Sequence, residues 1–192
     1  MNYINQNQIS QKKQIKELKM STIAAVDLIW AIGRGNKLLY RISSDLKRFR
    51  RITLGKTVVM GHNTLLSLPD HKPLEGRNNI VLTGDTNLII PGATTVNSLH
   101  AFFDVAQALT DTDEIFVVGG ESVYRQMLPY CMQAYITKIY AGSPEADRFF
   151  PDLDGDPLWS GEAESEPDEE GGIGFRYFRY TNSAPLRPGE AL

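Results

Sequence analysis

Asp45 is the residue whose sequence surroundings most clearly indicate chemistry. Residues 36–56 contain seven basic side chains and this single acidic one. On a helix, at about 100° per residue, Asp45 falls within an apolar arc. The other members of the arc are Ile42, Leu46, Phe49, Ile52 and Thr53. The basic residues expected to point elsewhere are Lys47, Arg48, Arg50 and Arg51. A carboxylate facing apolar groups is costly unless it is paired. It therefore either serves the positive end of the helix dipole or holds a cationic or N–H-rich ring.

Glycine-containing turns follow three strand-like segments. They are Gly61-His62-Asn63-Thr64, Thr83-Gly84, and Gly119-Gly120 followed by Ser122. Glycine lets backbone amides approach a phosphate, and the start of a helix adds a positive dipole. Neither G-x-G-x-x-G nor G-x-x-x-x-G-K-[ST] occurs, so each turn alone is equally consistent with a simple tight turn. Their occurrence together favours a dinucleotide site.

Two further side chains suit ligand binding. Arg77 lies in a loop, PLEGRNNIVL, and arginine is well shaped for bidentate capture of a carboxylate. Most loop arginines, however, are simply solvated. Thr137 lies in the middle of a strand-like run, YITKI, where a threonine is first of all a good strand former. Neither residue indicates a function by its position alone.

Strand-like and helix-like segments alternate along the chain. The strand-like segments are residues 22–26, 57–60, 79–83, 94–96, 114–118, 134–140 and 174–181. The helix-like segments are residues 43–53, 64–68, 98–109 and 122–128, with Ser43 or Ser44 and Ser98 as expected N-caps. This alternation predicts an α/β fold with a mainly parallel central sheet and flanking helices. The last segment alternates aromatic and basic residues, which predicts an antiparallel edge strand.

Composition predicts one globular domain. The chain has 192 residues, of which 42% are hydrophobic and 22% charged. Residues 1–19 are rich in Gln, Asn and Lys and lack a signal-peptide core, so we expect an arm, disordered or non-native, with the domain at residues 20–192. Residues 152–170, here called the acidic segment, hold nine acidic and no basic side chains. We expect this segment to be a solvated loop.

Several classes of protein are disfavoured. Cys131 is the single cysteine and the three histidines lack ligand spacing, so we expect no disulfide framework, no metal site and a cytoplasmic location. A net charge of −3 does not suit a nucleic-acid partner. Asp27 interrupts the best apolar run, residues 23–32, so we expect no membrane span. The sequence predicts no exposed apolar helix or strand that could form a subunit interface, which favours a monomer.

The order of several motifs makes the chain similar to bacterial dihydrofolate reductases, and most of all to those of clostridial type. The motifs are IAAVDLIWAIGRGN (residues 23–36), LLYRISSDLKRF (38–49), KTVVMGHNT (56–64), PLEGRNNIVLT (73–83), EIFVVGGESVYRQMLP (114–129) and AYITKIYAGSPEADRFFPD (134–152). The resemblance extends over residues 20–181. It implies the single-domain fold of that family, with residues 1–19 outside the family core.

The resemblance also implies roles for individual residues. Catalytic roles fall to Asp45, Thr137 and Tyr40, with Asp45 binding the pterin and Thr137 supporting it. The implied substrate-binding residues are Ile23, Asp45, Leu46, Phe49, Leu68, Arg77, Val118 and Thr137, with Arg77 on the glutamate carboxylate. The implied NADPH-binding residues are Ala25, Ile32, Gly33, Asn36, Leu38, Gly61, His62, Asn63, Thr64, Leu82, Thr83, Gly84, Val118, Gly119, Gly120, Glu121, Ser122, Val123, Tyr124 and Gln126. Residues 33–40 match a mobile lid.

The implied reaction passes hydride from NADPH to C6 of dihydrofolate while a proton reaches N5 through water. Its partners are dihydrofolate and antifolate-type small molecules. The chain also departs from the family. His62 and Ser122 replace arginines that many or some relatives carry near the cofactor phosphates, which puts the preference for NADPH over NADH in question. Tyr40 replaces a tryptophan, and Leu39 and Ser43 replace prolines, so we expect an unusually mobile lid.

Two other functions stay open from the sequence. One is a reductase of the same fold acting on another heterocycle, such as the aminouracil reductase of riboflavin synthesis. The lone Asp45 together with Arg77 argues against it. The other is a nucleotide-binding module without turnover. A costly carboxylate in an apolar arc argues against that function, because such a module has no use for the charge.

Overall fold

The computed structural model describes residues 17–109 and 114–190. Its strands are β1 (Lys19–Val26), β2 (Ala31–Arg34), β3 (Lys37–Leu38), β4 (Thr57–Gly61), β5 (Asn78–Leu82), β6 (Ala93–Val96), β7 (Glu114–Gly119), β8 (Gln133–Ile139), β9 (Arg148–Phe149), β10 (Trp159–Ala163), β11 (Asp168–Glu170) and β12 (Ile173–Asn182). Its helices are α1 (Ser43–Thr53), α2 (His62–Ser67), α3 (Leu99–Gln107) and α4 (Glu121–Met127). Short 3₁₀ turns follow α2 and α4.

A mixed sheet of nine strands forms the centre of the molecule, in the order β10-β12-β8-β1-β7-β4-β5-β6 with β11 paired to β12. The pairs from β8 through β6 are parallel, whereas β12 runs antiparallel to β8. The predicted α/β fold with a mainly parallel sheet is therefore confirmed.

The outermost strand differs from the prediction. The antiparallel direction of β12 was predicted correctly, but β10 pairs with its outer side and is itself the edge. Strand β10 lies within the acidic segment, as does β11, so that segment is not only a solvated loop. In β10 only Trp159 is buried and the next four residues are exposed. This pattern carries no alternation by which a strand is recognised from sequence.

Alternate residues of the sheet bury two separate hydrophobic layers. In β4, Val59 belongs to the layer that includes Phe102 of α3 and Met127 of α4. Val58 and Met60 belong to the other layer, against which Phe49 of α1 packs. Successive side chains of a strand point to opposite faces. The helices therefore cover both sides of the sheet and leave the carboxyl ends of its parallel strands for a site.

The two expected N-caps have different outcomes. Ser98 caps α3, since its hydroxyl accepts a hydrogen bond from the Ala101 amide at 3.1 Å. The expectation for α1 is wrong, because Ile42 occupies its N-cap and contributes no side-chain bond. The carboxylate of Glu170 instead accepts bonds from the amides of Ser43 and Ser44, at 2.6 and 3.0 Å. The first turn of α1 is thus satisfied by a residue of the acidic segment.

The beginning of the described chain joins the core. Leu18 is buried and β1 begins at Lys19. Residues 1–16, which hold most of the expected arm, lie outside the described residues, so the division at residue 20 stays a prediction. Among the described helices, none has the length and apolar character needed to cross a membrane.

Candidate active site

A cleft of about 1010 Å³ lies at the carboxyl ends of the parallel strands. All twenty residues that the resemblance implies for the cofactor line it, from Ala25 of β1 to Gln126 of α4. Open α/β sheets bind ligands at this edge. Seven lining residues were not predicted from the sequence: Ala24, Lys37, Ser67, Asn97, Ser98, Arg125 and Arg148. Of these, Ala24 lies on β1, and Lys37 and Arg148 lie on the two-residue strands β3 and β9. Ser67 and Arg125 lie in helices, and Asn97 and Ser98 directly precede α3, so no single sequence pattern unites the seven.

Two glycines after β7 leave room that a side chain would fill. Gly119 has a φ of +114°, and a Cβ there would lie 3.1 Å from the ring of Tyr124. A Cβ on Gly120 would lie 3.1 Å from Oγ1 of Thr64. Only glycine suits such a backbone where another group must come close. The residues present therefore form a cradle into which a dinucleotide backbone fits.

Tyr124 connects this cradle with the carboxylate. Its hydroxyl is buried and donates a hydrogen bond to the carbonyl oxygen of Ile23 at 2.9 Å. Burial raises the pKa of the Tyr124 hydroxyl well above its ordinary value, and the negative charge of Asp45 raises it further. Ala25, which lines the cleft, pairs with Thr137 in the β1–β8 ladder, and Thr137 is bonded to Asp45, so the carboxylate and the cofactor cradle adjoin each other.

Asp45 lies on the first turn of α1, held by a residue far away in the sequence. The hydroxyl of Thr137, on β8, donates a hydrogen bond to its carboxylate at 2.5 Å. Burial raises the pKa of Asp45 above its ordinary value, while the bond from Thr137 and the charge of Arg48 oppose that rise. The group is thus a desolvated carboxylate with supports that favour its ionised form.

Apolar side chains surround this carboxylate on the α1 side of the sheet. The four residues implied as ring walls, Ile23, Phe49, Leu68 and Val118, belong to one hydrophobic cluster. Leu46, by contrast, lies at the surface of α1 with 36% of its area exposed. The pocket therefore combines flat apolar walls with one acceptor group, which suits an aromatic ring bearing N–H donors.

Arg77 lies against the end of the same helix. Its Nε and Nη2 donate to the hydroxyl of Thr53 at 3.2 and 3.1 Å, and its Nη1 donates to the carbonyl of Glu75 at 2.7 Å. Partial burial lowers the pKa of Arg77, and so does the neighbouring positive charge of Arg50. Two guanidinium groups near each other favour an anionic ligand at this end of α1.

Tyr40 forms its side-chain hydrogen bond with a residue other than Asp45. Its hydroxyl forms a 2.7 Å hydrogen bond with that of Ser143. The Ser143 amide in turn donates to the buried carboxylate of Asp27. Thr137, and not Tyr40, is therefore the recorded hydrogen-bond partner of Asp45. The catalytic role of Tyr40 stays a prediction from the resemblance.

The lid, residues 33–40, is part of a three-stranded sheet in the order β3-β2-β9. Its turn at Gly35 and Asn36 has positive φ at both residues, as two-residue hairpins require. The amide of Gly35 donates to the carboxylate of Asp147 at 3.1 Å, and the Asp147 amide donates to the carbonyl of Gly33. Strands of two to four residues are too short to recognise from sequence. The unusual mobility expected of the lid stays a prediction.

One basic residue of α1 does not point away from the protein. Arg48 was expected to point away from the apolar arc of Asp45, but this direction does not lead to solvent, because Arg48 is 5% exposed and its Nη2 lies 2.7 Å from the carboxylate of Glu164. The helical arc of Asp45 is one covered side of α1, and Tyr177 of β12 and Glu164 of the acidic segment cover a second side at Arg48. The spacing of residues along one helix does not show which distant segment packs against that helix; here Glu164 is 116 positions from Arg48.

Two of the residues at which the chain departs from the family pattern lie in the cleft. His62 and Ser122 both line the cleft, at the starts of α2 and α4. Neither supplies a permanent positive charge. Within residues 17–109 and 114–190, no three His, Cys, Asp or Glu side chains gather as a metal site would require.

A mainly parallel α/β sheet with a glycine-lined cleft at its carboxyl edge, beside a desolvated carboxylate and an apolar cluster, is the arrangement of a dinucleotide-binding enzyme. Comparison with known proteins gives the family. Residues 19–182 match the sequence family described as dihydrofolate reductase. The chain belongs to the dihydrofolate reductase family.

Individual relatives agree with this assignment. A dihydrofolate reductase of Mycobacterium tuberculosis (strain ATCC 25618 / H37Rv) is 37% identical over 167 residues, covering 82% of this chain and 98% of the relative. One of Neisseria gonorrhoeae is 41% identical over 138 residues, covering 71% and 82%. Among solved structures, dihydrofolate reductase from Enterococcus faecalis complexed with NADP(H) and RAB-propyl is similar with a TM-score of 0.73 and 27% identity, covering 87% and 98%.

Proposed function

We propose that the protein reduces 7,8-dihydrofolate to 5,6,7,8-tetrahydrofolate by hydride transfer from NADPH, as a step of one-carbon metabolism. The observation that carries this proposal is the Asp45 carboxylate. It accepts a hydrogen bond from Thr137 in an apolar pocket that adjoins the cofactor cradle. The membership of the chain in the dihydrofolate reductase family supports the same reaction.

Asp45 binds and orients the pterin. The two oxygens of a carboxylate accept two parallel N–H bonds, which matches the 2-amino group and N3 of the ring. A fixed negative charge beside the ring favours the protonated, more electrophilic form of the substrate. The walls Ile23, Phe49 and Val118 hold the ring flat against the cofactor side. The proton for N5 comes through water, because Asp45 sits at the opposite, pyrimidine end of the ring.

NADPH supplies the hydride from its reduced nicotinamide. The glycine cradle at Gly119 and Gly120 and the hydroxyl of Thr64 would hold its diphosphate. Ala25, Ile32 and Leu38 would contact the nicotinamide end. Holding two reactants in line can lower a barrier by about 7–11 kcal/mol. The main contribution of the chain is therefore alignment and charge.

Arg77 binds the glutamate carboxylate of the substrate. It stands at the C-terminal end of α1 with Arg50 beside it, one or more turns beyond Asp45 and Phe49 on the same helix. The pterin and the tail of the substrate are thus spaced along a single helix. The exposed Leu46 would contact the middle of the substrate, between its ring and its tail.

The lid excludes water from the transfer. One wall of the cleft is formed by Ile32, Gly33, Asn36, Lys37 and Leu38. Asp147 holds this wall in place through two hydrogen bonds, because its carboxylate accepts from the Gly35 amide and its own amide donates to the Gly33 carbonyl. Excluding bulk solvent strengthens the electrostatic effect of Asp45 on the ring. Closure and opening of the lid would then admit substrate and release product.

We further propose a monomer in the cytoplasm with small molecules, dihydrofolate and antifolate-type inhibitors, as its partners and no nucleic acid among them. The net charge of −3 supports the last point. The large apolar side chains exposed among the described residues include the adjacent Leu28 and Ile29 in the turn after β1, Ile89 on a loop, Met132 before β8 and Leu158 before β10. Apart from the Leu28–Ile29 pair, these five residues lie in different parts of the chain, and they do not form one exposed helix or strand.

The test follows the loss of NADPH absorbance with dihydrofolate as the substrate. The wild-type protein should turn over, and Asp45→Asn should lose about 10²–10³-fold in kcat/KM at neutral pH. The variant should remain folded and unfold at a slightly higher temperature, because a desolvated charge is removed. Absence of turnover with dihydrofolate in the wild type, or unchanged activity in the variant, contradicts the proposal. Turnover with an aminouracil substrate alone would favour the related reductase.

A further inference from the structure

Arg48 is a buried cation that the proposed reaction does not use. It is 5% exposed, its Nη2 donates to Glu164 at 2.7 Å, and its guanidinium lies over the ring of Tyr177 at 4.4 Å from the centroid. Tyr135 flanks the same group at 5.9 Å. Three elements other than α1 therefore fix this side chain: β8, β12 and the acidic segment.

The fixed cation lies beside the group that carries the proposed function. Asp45 and Arg48 are three residues apart on α1, so they are neighbours on its surface. Thr137, which donates to Asp45, stands directly opposite Tyr177 in the antiparallel pair of β8 and β12. The ring under Arg48 and the hydroxyl that holds Asp45 thus belong to adjacent positions of the sheet.

Glu164 does not fully neutralise Arg48. The other oxygen of its carboxylate lies 3.6 Å from Nε of Arg179, and the Glu164 side chain is 26% exposed. Nη1 of Arg48 is buried and has no hydrogen-bond partner among the described residues. Positive charge therefore remains to act on Asp45, and Arg48 does lower the pKa of that carboxyl against the effect of burial.

A purely architectural role explains this arrangement poorly. Buried ion pairs contribute little stability compared with apolar residues of the same volume, which also avoid an unpaired nitrogen. What an apolar side chain could not supply is a positive potential at Asp45. We propose that Arg48 is a positioning residue of the substrate site, whose guanidinium, anchored by Glu164 and Tyr177, holds a positive charge beside the Asp45 carboxylate and thereby keeps it ionised. This inference rests on the proposed function for the role of Asp45, and it makes the acidic segment part of substrate recognition.

The charged and titratable groups around Asp45 define the experiment. They are Arg48 on α1, Tyr124 on α4, Tyr135 on β8, Tyr177 on β12, Glu164 behind Arg48, and Glu170 at the start of α1. Burial raises the pKa of Tyr124 and of Tyr135, so both are neutral at neutral pH. The two residues to change are therefore Arg48 and Glu164, and their charges have opposite signs.

The first measurement is the titration of the Asp45 carboxyl by ¹³C NMR in the ligand-free protein. Arg48→Met should shift its midpoint upward, and Arg48→Lys should restore it toward the wild-type value. Glu164→Gln should shift it downward, because the amide oxygen still anchors Arg48 while the competing negative charge is lost. The matched controls are Lys47→Met and Glu162→Gln, exposed neighbours with the same charge changes, which should leave the midpoint in place.

The second measurement is the ratio of kcat/KM between Arg48→Met and wild type across pH. At the lowest pH of the series the ratio should be about tenfold lower than at the highest pH. It should approach a constant value as pH rises, because Asp45 is then ionised in the variant as well as in the wild type. Dividing by the wild-type value removes the titration of the substrate itself. A ratio independent of pH would indicate a packing role only.

Each outcome decides between the two proposals. Equal midpoints in Arg48→Met and Lys47→Met would overturn the role of Arg48, whatever the activity. Shifted midpoints in a protein without dihydrofolate turnover would support the electrostatic role and reject the proposed function alone. Should Arg48→Met fail to fold, Glu164→Gln still decides, because an upward or absent shift in that variant contradicts the inference.

Discussion

The cofactor cradle and the carboxylate pocket lie side by side, yet they are built in different ways. The cradle is built mainly from turns in which residues close in sequence, such as Gly119 and Tyr124, lie against each other, although Gly120 also lies close to Thr64 of α2. The pocket depends on contacts between residues far apart. Thr137 is 92 positions from Asp45, and Glu164 is 116 positions from Arg48.

The difference matters for how each site responds to change. The cradle is set by backbone conformation and close approach, so a single methyl group added where the approach is closest disrupts it. The pocket is set by a balance of burial and charge, so substitutions there should change the ionisation of Asp45 while the fold remains. Three substitutions test this contrast, in order of decreasing expected effect.

Gly119→Ala should have the largest effect on the protein as a whole. Its Cβ would meet the Tyr124 ring at 3.1 Å on a backbone with φ of +114°. We expect a loss of about 2–5 kcal/mol in the free energy of unfolding and weaker binding of NADPH. Denaturant unfolding and a fluorescence titration with NADPH measure the two effects.

The matched control for this variant is Gly84→Ala. Gly84 also lines the cleft, but a Cβ there would meet no heavy atom within 4 Å, apart from its chain neighbours. Its stability should stay within about 0.5 kcal/mol of wild type. Equal destabilisation by the two variants would show that the close approach of Tyr124 is not what requires glycine at position 119.

Thr137→Val should weaken catalysis and leave the fold intact, because valine has the same shape and suits a strand. A hydrogen bond to a charged group is worth about 1.5–3 kcal/mol, so kcat/KM should fall about 10- to 100-fold. The bond favours the ionised carboxylate, so its loss raises the pKa of Asp45. The deficit should therefore be greatest at acid pH and shrink as pH rises.

Thr22→Val provides the comparison for Thr137→Val. Thr22 is also buried in a strand, and its hydroxyl donates to the carbonyl of Val117 at 3.1 Å, not to a carboxylate. Its pH profile should match that of wild type. A profile altered as in Thr137→Val would mean that any buried hydroxyl lost from the sheet perturbs Asp45.

Glu170→Gln should have the smallest effect, on stability alone. Bonds from the amides of Ser44 and Ser43 lower the pKa of Glu170 from 4.5 to about 2. A carboxyl whose pKa is lower in the folded state stabilises the protein above pH 4.5, and this contribution is lost as pH falls toward 2. The melting temperature of the variant should therefore lie a little below wild type at neutral pH and converge with it in acid.

The adjacent Glu169 supplies the control for this prediction, because its side chain is exposed and forms no recorded bond to α1. Glu169→Gln should leave the melting temperature unchanged at each pH. A constant difference between Glu170→Gln and wild type down to the lowest pH would contradict the capping role of Glu170.

Many of the residues that line the cleft could be predicted from the sequence. Glycines after strand-like runs mark the turns, and their order identified the family, so the twenty implied residues do line one cleft. Asp45 was singled out by its apolar arc, and Thr137 only by resemblance. Two of the three unpredicted cations that line the cleft, Lys37 and Arg148, lie on strands of two residues, which the sequence does not reveal, and the third, Arg125, lies on α4.

The acidic segment shows where such prediction ends. Its composition indicated a solvated loop, and several of its side chains are indeed exposed. Yet Glu164 and Glu170 bind two different parts of α1, at its buried face and at its first turn. A carboxylate that caps a distant helix has the same sequence signature as one that faces only water.

By itself, the sequence determined the order of strands and helices, the glycine turns and the one acidic residue of the first helix, because periodicity and turn chemistry are local properties. Only the tertiary structure decided which distant segments meet. Arg48 pairs with Glu164, Glu170 caps α1, and β10 pairs with the outer side of β12. Those choices depend on desolvation and on contacts between segments distant in the chain. No local pattern records them.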